Sequence, residues 1–356
     1  MIEILSSSAL ATVQDRGRDG YLRYGVGMAG AMDRLALAVG NLLLGNAEDA
    51  ASIEIPVFPF RVRFLDDLSF ALTGADGAAK LGERPVLPWW TLHAKRGEVL
   101  TIGVPEHGAR CYLSLAGGVD VPVVLGSRST QMRGEFGGFH GRPLKKGDVV
   151  AAGQMHDGSA TGRVTGNASS GASSGANCGA NCGPGAGFGS VPPWLSLPAP
   201  AATPDGEAAA DGDTVVRVLP AAEYERYTAP SQDAFWRTAW KVTPQSDRYG
   251  YRLAGSTLAT VETLEMRSHG IVPGVIQVPH SGQPIIQLRD AQPSGGYPKI
   301  GTVIEADIWR LAQARIGTHL RFVRTTYDEA VAATRELDGY VEKVKQLVGL
   351  FRSSGH

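Results

Sequence analysis

Gly270–Gly301 reads GIVPGVIQVPHSGQPIIQLRDAQPSGGYPKIG, and its alternation of short apolar runs with tight turns decides the fold class. Val275–Val278 and Pro284–Leu288 have the length and composition of strands. Turn chemistry follows each: Pro279-His280-Ser281-Gly282, then Pro293-Ser294-Gly295-Gly296. Proline fixes the approach to a turn, and glycine lets a ligand come close to the backbone. Asp290 and Gln292 lie between the turns, with Lys299 just beyond. Two polar turns beside buried strands predict a pocket floor.

Working outward, the same rhythm of short strands continues in both directions. Upstream, Thr214–Leu219 alternates as a strand, a helix is predicted to carry Tyr224, Tyr227, Phe235 and Trp236, and Trp240–Val242 is a strand. Downstream, Thr302–Gln313 is predicted helical, Thr318–Arg324 is a closing strand, and Tyr327–Phe351 is an amphipathic packing or partner helix. The N-terminal half opens with a strand over Ile2–Val13. A glycine-punctuated loop then carries Asp15, Arg16, Arg18 and Asp19 into a helix beginning near Asp33. Asp33 is either the helix cap or a ligand residue. Strands follow at Ser52–Phe58, Phe60–Leu65 and Ser69–Thr73, and Cys111–Gly118 is a buried one. Glu54 interrupts the apolar run SIEIPVF, so it must be paired or face a cavity. Regular short strands with such turns favour barrels or sandwiches over a parallel βαβ sheet.

The 356 residues exceed what one core usually supports, so two domains are expected. The fold class is mainly β with some helix: residues 1–152 and 214–325 form two β-barrel-like domains, and residues 326–356 a terminal helix. Residues 153–213 are dominated by Gly, Ala, Ser and Pro and read as a linker or insertion. Apolar content of 43%, 19% charged residues and a net charge of −1 exclude nucleic-acid wrapping and anionic membranes as targets. Three cysteines are too few for a disulfide framework. Cys178 and Cys182 lack the further ligands of a zinc site, so no metal is expected. With no basic-apolar leader and no apolar run of about 18 residues, a soluble cytoplasmic protein is expected. PQSDRYGYRLAG at Pro244–Gly255 echoes QDRGRDGYLRYG at Gln14–Gly25, which would place Asp15-Arg16 and Asp247-Arg248 in matching positions of two distant copies.

Four motifs in order, TVQDRGRDGYLRYGVGMAGAMD, LAGGVDVPVVLGSRST, SDRYGYRL and VPGVIQVPHSGQPIIQLRDAQPSGGYPKI, resemble the family of 5-oxoprolinase C subunits. That family is also called KipA, or allophanate hydrolase subunit 2-like, and is similar to half of the carboxyltransferase domain of urea carboxylase. The resemblance implies cyclophilin-like, β-barrel-like domains. It also implies two partners, a KipI-like B subunit and an A subunit, and ATP as a substrate of a complex that opens 5-oxoproline to glutamate. His269, His280, Pro293-Ser294 and Pro220-Ala221-Ala222 depart from the family pattern. The first three border the expected pocket and bear on substrate identity.

Opening a lactam with ATP, or carboxyl transfer from carboxybiotin, requires cations, amide donors and a carboxylate, with no Ser-His-Asp triad. The chain has no GxxxxGK[ST] phosphate loop, so a nucleotide site here would be unconventional or shared with a partner. Arg16 and Arg128 are the candidate anion anchors, and Gln283 and Gln292 the candidate amide donors. Asp290 and Lys299 are the candidate catalytic groups, and Tyr297 a pocket wall. Each has a plainer alternative: a solvated ion pair for Arg16, a turn residue for Asp290, a strand end for Lys299, loop backbone partners for the glutamines, packing for Tyr297. His280 has no partner in the sequence that would make it a general base. Two other functions stay open. One is a carboxyltransferase for urea or a related amide, its biotin supplied on another chain because no Met-Lys acceptor is present here. The other is a non-catalytic regulator. The proposed site requires loops from both halves to surround one cavity.

Overall fold

The computed structural model describes residues 1–7, 10–154, 187–200, 212–262, 264 and 266–353. Cys178 and Cys182 and most of the expected linker lie outside the described residues. The N-terminal half is two facing antiparallel sheets. One runs, in spatial order, Val119–Asp120, Val149–Ala152, Ile2–Ser6, Phe60–Phe64, Val99–Ile102, Ala79–Leu81 and Arg84–Val86. The other runs Thr12–Gln14, Ser52–Ile55, Cys111–Leu115, Leu68–Gly74 and Trp90–Ala94. Alternation explains the packing: in Phe60–Phe64 the residues Phe60, Val62 and Phe64 point inward while Arg61 and Arg63 face water. Ile2, Ile4, Ile53, Leu113 and the free thiol Cys111 fill one apolar core between the sheets.

The C-terminal half closes into a seven-stranded barrel. Its order is Thr214–Pro220, Lys299–Val303, Val275–Gln277, Ile285–Gln287, Gly250–Ala254, Trp240–Val242 and His319–Arg324. The last strand returns to pair in parallel with the first, Val216 opposite Phe322, so no edge is left open. Phe235, Trp240 and Phe322 cluster in its core. The mainly β class with some helix is therefore what the chain adopts.

Three expectations change in detail. The opening strand is two strands on different sheets, Ile2–Ser6 and Thr12–Gln14. The expected helix over Thr302–Gln313 shrinks, because Lys299–Val303 is needed as a barrel strand between two neighbours. The aromatic helix after Pro220 is broken: a single turn at Tyr224–Arg226 precedes a helix capped by the Thr228 hydroxyl, with proline in its first turn.

Helices bind the halves together. α1 (Arg34–Leu44) is capped by Asp33, whose carboxylate accepts from Ala36 N–H at 2.9 Å. α2 (Pro193–Ser196) belongs to a segment that docks on the first half, with Thr91 N–H donating to the Phe188 carbonyl and Trp194 edge-on to Trp89. This part of the expected linker is thus packed. α3 (Ala229–Arg237) and α4 (Ile308–Ala312) lie against the barrel. α5 (Tyr327–Ser353) runs back across α1, burying Tyr340, Val344 and Val348 against Leu35, Val39 and Leu43. The amphipathic C-terminal stretch is a packing helix.

Candidate functional site

Charge collects where the two halves meet. Glu54, in the middle of an apolar strand, is wholly buried. Its Oε2 accepts from Met32 N–H at 2.8 Å and from the Tyr112 hydroxyl at 2.7 Å, and its Oε1 from Arg248 Nη1. Arg248 comes from the barrel half. Its Nε and Nη2 also donate to both oxygens of Asp290 at 2.9 and 3.0 Å, and Nη2 to the Gly30 carbonyl at 2.7 Å. One guanidinium therefore ties a buried carboxylate from each half to the loop before α1, and all its nitrogens are engaged. Burial alone would raise the Glu54 carboxyl. Arg248, Arg110, the Met32 N–H and the Tyr112 hydroxyl outweigh it and hold the carboxyl below its ordinary value. For Arg248, burial opposes the charge, but Asp290 and Glu54 prevail and raise it.

A second seam runs beside the first. Asp33 Oδ2 accepts from Gln313 Nε2 at 2.8 Å, while Gln313 Oε1 accepts from Ala109 and Arg110 N–H at 2.9 and 3.0 Å. Arg110 Nη1 donates to the Tyr251 hydroxyl at 2.8 Å and to the Ala312 carbonyl. Asp33 has no cation of its own in this set. Burial pushes its carboxyl up to about 6, with Glu54 adding to the rise and hydrogen bonds from Gln313 and Ala36 opposing it.

A cleft of about 440 Å³ opens between the halves, lined by Arg110, Arg248, Tyr249, Tyr251, Asp290 and Arg315. Exposed Leu10, Val57, Val104 and Ile316 also line it and make its mouth apolar. The arginines are braced rather than free: Arg315, for example, donates to the Gly108 and Pro105 carbonyls, each at 2.7 Å. Among the described residues the buried Nε of Arg110 has no partner, and the hydroxyl of Tyr249 makes no hydrogen bond. Burial and then Asp290 raise the Tyr249 hydroxyl, so it stays protonated and can donate a hydrogen bond. The arrangement suits binding and orienting a polar group against a dry wall, where each hydrogen bond counts for more than in water.

The seven residues expected to converge do not all do so. Asp290 lines the cleft, held bidentate by Arg248. Arg128 lines a different cavity of about 630 Å³ with Asp15 and Gly117, and donates to the Val121 carbonyl. Arg16 is exposed on its loop. Lys299 sits 3.7 Å from Glu223. Gln283 exchanges hydrogen bonds with Gly255 backbone, its carbonyl accepting at 2.9 Å and its amide donating at 3.3 Å. Gln292 and Tyr297 are exposed, Tyr297 edge-on to His280. Lys299 and Gln283 found nearer partners in their own half, and no one cavity is surrounded by all seven. Sequence reasoning missed Arg248, Arg110, Tyr112 and Gln313. The unpaired acid in SIEIPVF was the signal, since it required a cation from somewhere. The echo between the two halves pointed at the partner: Asp15 and Asp247 each accept from the N–H two residues on, at 2.8 Å. The arginine after Asp247 turns inward, whereas the one after Asp15 turns out and Arg18 is buried instead. No cluster of ligand-type residues that could hold a metal occurs among the described residues. No helix among them is long and apolar enough to cross a membrane.

Known proteins match this chain over nearly its whole length. It is 38% identical to the C subunit of 5-oxoprolinase from Escherichia coli (strain K12) over 344 residues, covering 97% of both chains. It is 36% identical to the Haemophilus influenzae protein of the same name over 348 residues, covering 98% of this chain and 99% of that one. Among solved structures, the Kluyveromyces lactis urea carboxylase superposes with a TM-score of 0.78 at 25% identity, over 96% of this chain and 29% of that longer one. The sequence pattern of one family, described as carboxyltransferase domain, subdomain A and B, spans residues 24–324. With most of the sandwich, the barrel and the seam between them inside that span, the chain belongs to the carboxyltransferase subdomain A and B family.

Proposed function

We propose that the chain is the C subunit of a 5-oxoprolinase, working with a KipI-like B subunit and an A subunit in the cytoplasm to open 5-oxoproline to glutamate at the expense of ATP. The observation that carries this reading is end-to-end identity of 36–38% with two proteins of that name, each covered over at least 97% of its length. The interlobe cleft is where this chain would act. ATP-driven opening of a lactam places negative charge on the former carbonyl oxygen, and donors aimed at it lower the barrier. Tyr249 offers an unengaged hydroxyl there, and Arg110 keeps a buried Nε without a partner. The Arg248–Asp290–Glu54 set keeps the two walls at a fixed spacing.

Mixing the chain with the A and B subunits, ATP and 5-oxoproline is expected to yield glutamate. Tyr249→Phe, which removes one unengaged hydroxyl, is expected to lower kcat by at least about tenfold. No glutamate from a folded, assembled complex rejects the reading, and full activity in Tyr249→Phe removes the cleft from the chemistry. A second reading, carboxyl transfer from carboxybiotin to urea or a related amide with biotin on another chain, is favoured by the fit to the urea carboxylase structure. Carboxybiotin-dependent label transfer to urea, without glutamate formation, would select it.

A further inference from the structure

Arg34, at the start of α1, is near enough to Arg289, beside Asp290, to feel its charge, with little negative charge to offset it. Arg289 is only 4% exposed, yet its single ion pair among the described residues runs from Nη2 to Glu305 at 3.1 Å, and the Glu305 side chain is 62% exposed. Arg34 donates through Nη2 to the Arg16 carbonyl. The Nε of both arginines is buried without a partner, and neither Nη1 has one among the described residues. Burial, then the charge of Arg289, pulls the Arg34 guanidinium down to about 10, Arg16 adding to the effect and Glu305 and Asp19 opposing it. Three guanidinium groups are thus answered by two exposed carboxylates. Buried cations are normally paired, so unfilled donors on two neighbouring guanidinium groups mark a place for an anion.

The loop that holds Arg34 packs backbone against backbone. Gly17 and Gly30 both sit at positive φ, +95° and +92°. A Cβ on Gly30 would lie 2.8 Å from the Arg16 carbonyl oxygen, and one on Gly17 2.8 Å from that of Ala29. Close backbone contact therefore fixes the Arg16 carbonyl that holds Arg34 in place. Planar guanidinium forks set in this way match the two oxygens of a carboxylate or phosphate.

We propose that Arg34 and Arg289, with exposed Arg16 alongside, form a binding site for a small oxyanion, a phosphate group or a carboxylate. The site lies apart from the cleft lining and goes beyond the function proposed above. Calorimetric titration of the intact chain at constant ionic strength tests it, with inorganic phosphate, ATP and 5-oxoproline as separate titrants. One of them is expected to bind with one-to-one stoichiometry. Arg34→Gln and Arg289→Gln are expected to weaken it at least tenfold, and Arg16→Ala about threefold with an unchanged circular dichroism spectrum. Binding of phosphate or ATP alone identifies a phosphate source, and binding of 5-oxoproline alone a carboxylate. No binding by any titrant overturns the site, as does binding that survives Arg16→Ala and Arg34→Gln in folded protein. The measurement needs no other polypeptide, so its failure leaves the assignment of the complex standing.

Discussion

Arg248, which holds Asp290, and Arg289, the residue before Asp290 in the chain, are both largely out of solvent, and they differ in what answers their charge. Arg248 meets Glu54, Asp290 and the Gly30 carbonyl, all out of solvent, and each of its three nitrogens is engaged. Arg289 meets one exposed glutamate and keeps a buried Nε empty. Burial alone therefore does not tell a clasp from a receptor. The completeness of hydrogen bonding does. A guanidinium with every nitrogen engaged holds the protein to itself, and one with a buried nitrogen left vacant is open to a further partner.

Replacement of the two arginines should separate them most sharply. Arg248→Met leaves two buried carboxylates without their cation and is expected to cost about 3–5 kcal/mol in urea unfolding, enough to unfold a marginal domain. Arg289→Met removes a poorly paired cation of similar volume and is expected to change stability by no more than about 1 kcal/mol in anion-free buffer. Equal losses would break the distinction. Asp33 sharpens it from the opposite side, as an acid without a cation. Its folded-state pKa is raised, to about 6 from an ordinary value of 3.8, so the native chain holds an extra proton between those values. Stability is then expected to fall by about 3 kcal/mol as pH rises from 4 to 6 and to flatten above. Asp33→Asn, which still caps α1, should abolish that slope in melting curves taken across the window. A slope unchanged in Asp33→Asn would place the titration elsewhere. The smallest effect is expected for Arg34→Gln: relief of its repulsion with Arg289 should leave stability equal or slightly higher, by less than about 1 kcal/mol, in chloride buffer. A clear loss there would show that Arg34 is a structural cation like Arg248.

Much of the fold is legible in the sequence because strand periodicity and turn chemistry are local properties. Val275–Gln277, Ile285–Gln287 and Trp240–Val242 fall where alternation and turns put them. The Lys299–Val303 strand escaped, because pairing with Thr214–Pro220 and Val275–Gln277 overrides a helix-like pattern; of the helix expected over Thr302–Gln313 only its later part, α4, forms. The site was less legible for a related reason. Glu54 announced that it needed a partner, but which of the chain's many arginines would answer depends on how two halves dock, and spacing carries no trace of that. Arg16 and Arg248 occupy the same place in two similar stretches, yet only Arg248 turns inward. The stretch Gln283–Lys299 looked like a single polar floor, but Gln283 is satisfied by Gly255 and Lys299 by Glu223, partners from neighbouring segments of the same half.

The barrel's parallel closing pair has a consequence for how the chain matures on the ribosome. Thr214–Pro220 emerges first, but one of its two neighbours is His319–Arg324, made about a hundred residues later. The α1 surface likewise waits for α5, whose residues follow still later. Until then an unpaired strand and a greasy helix face stand open together, so nascent chains should depend on holding chaperones more than an ordinary sandwich of this size would.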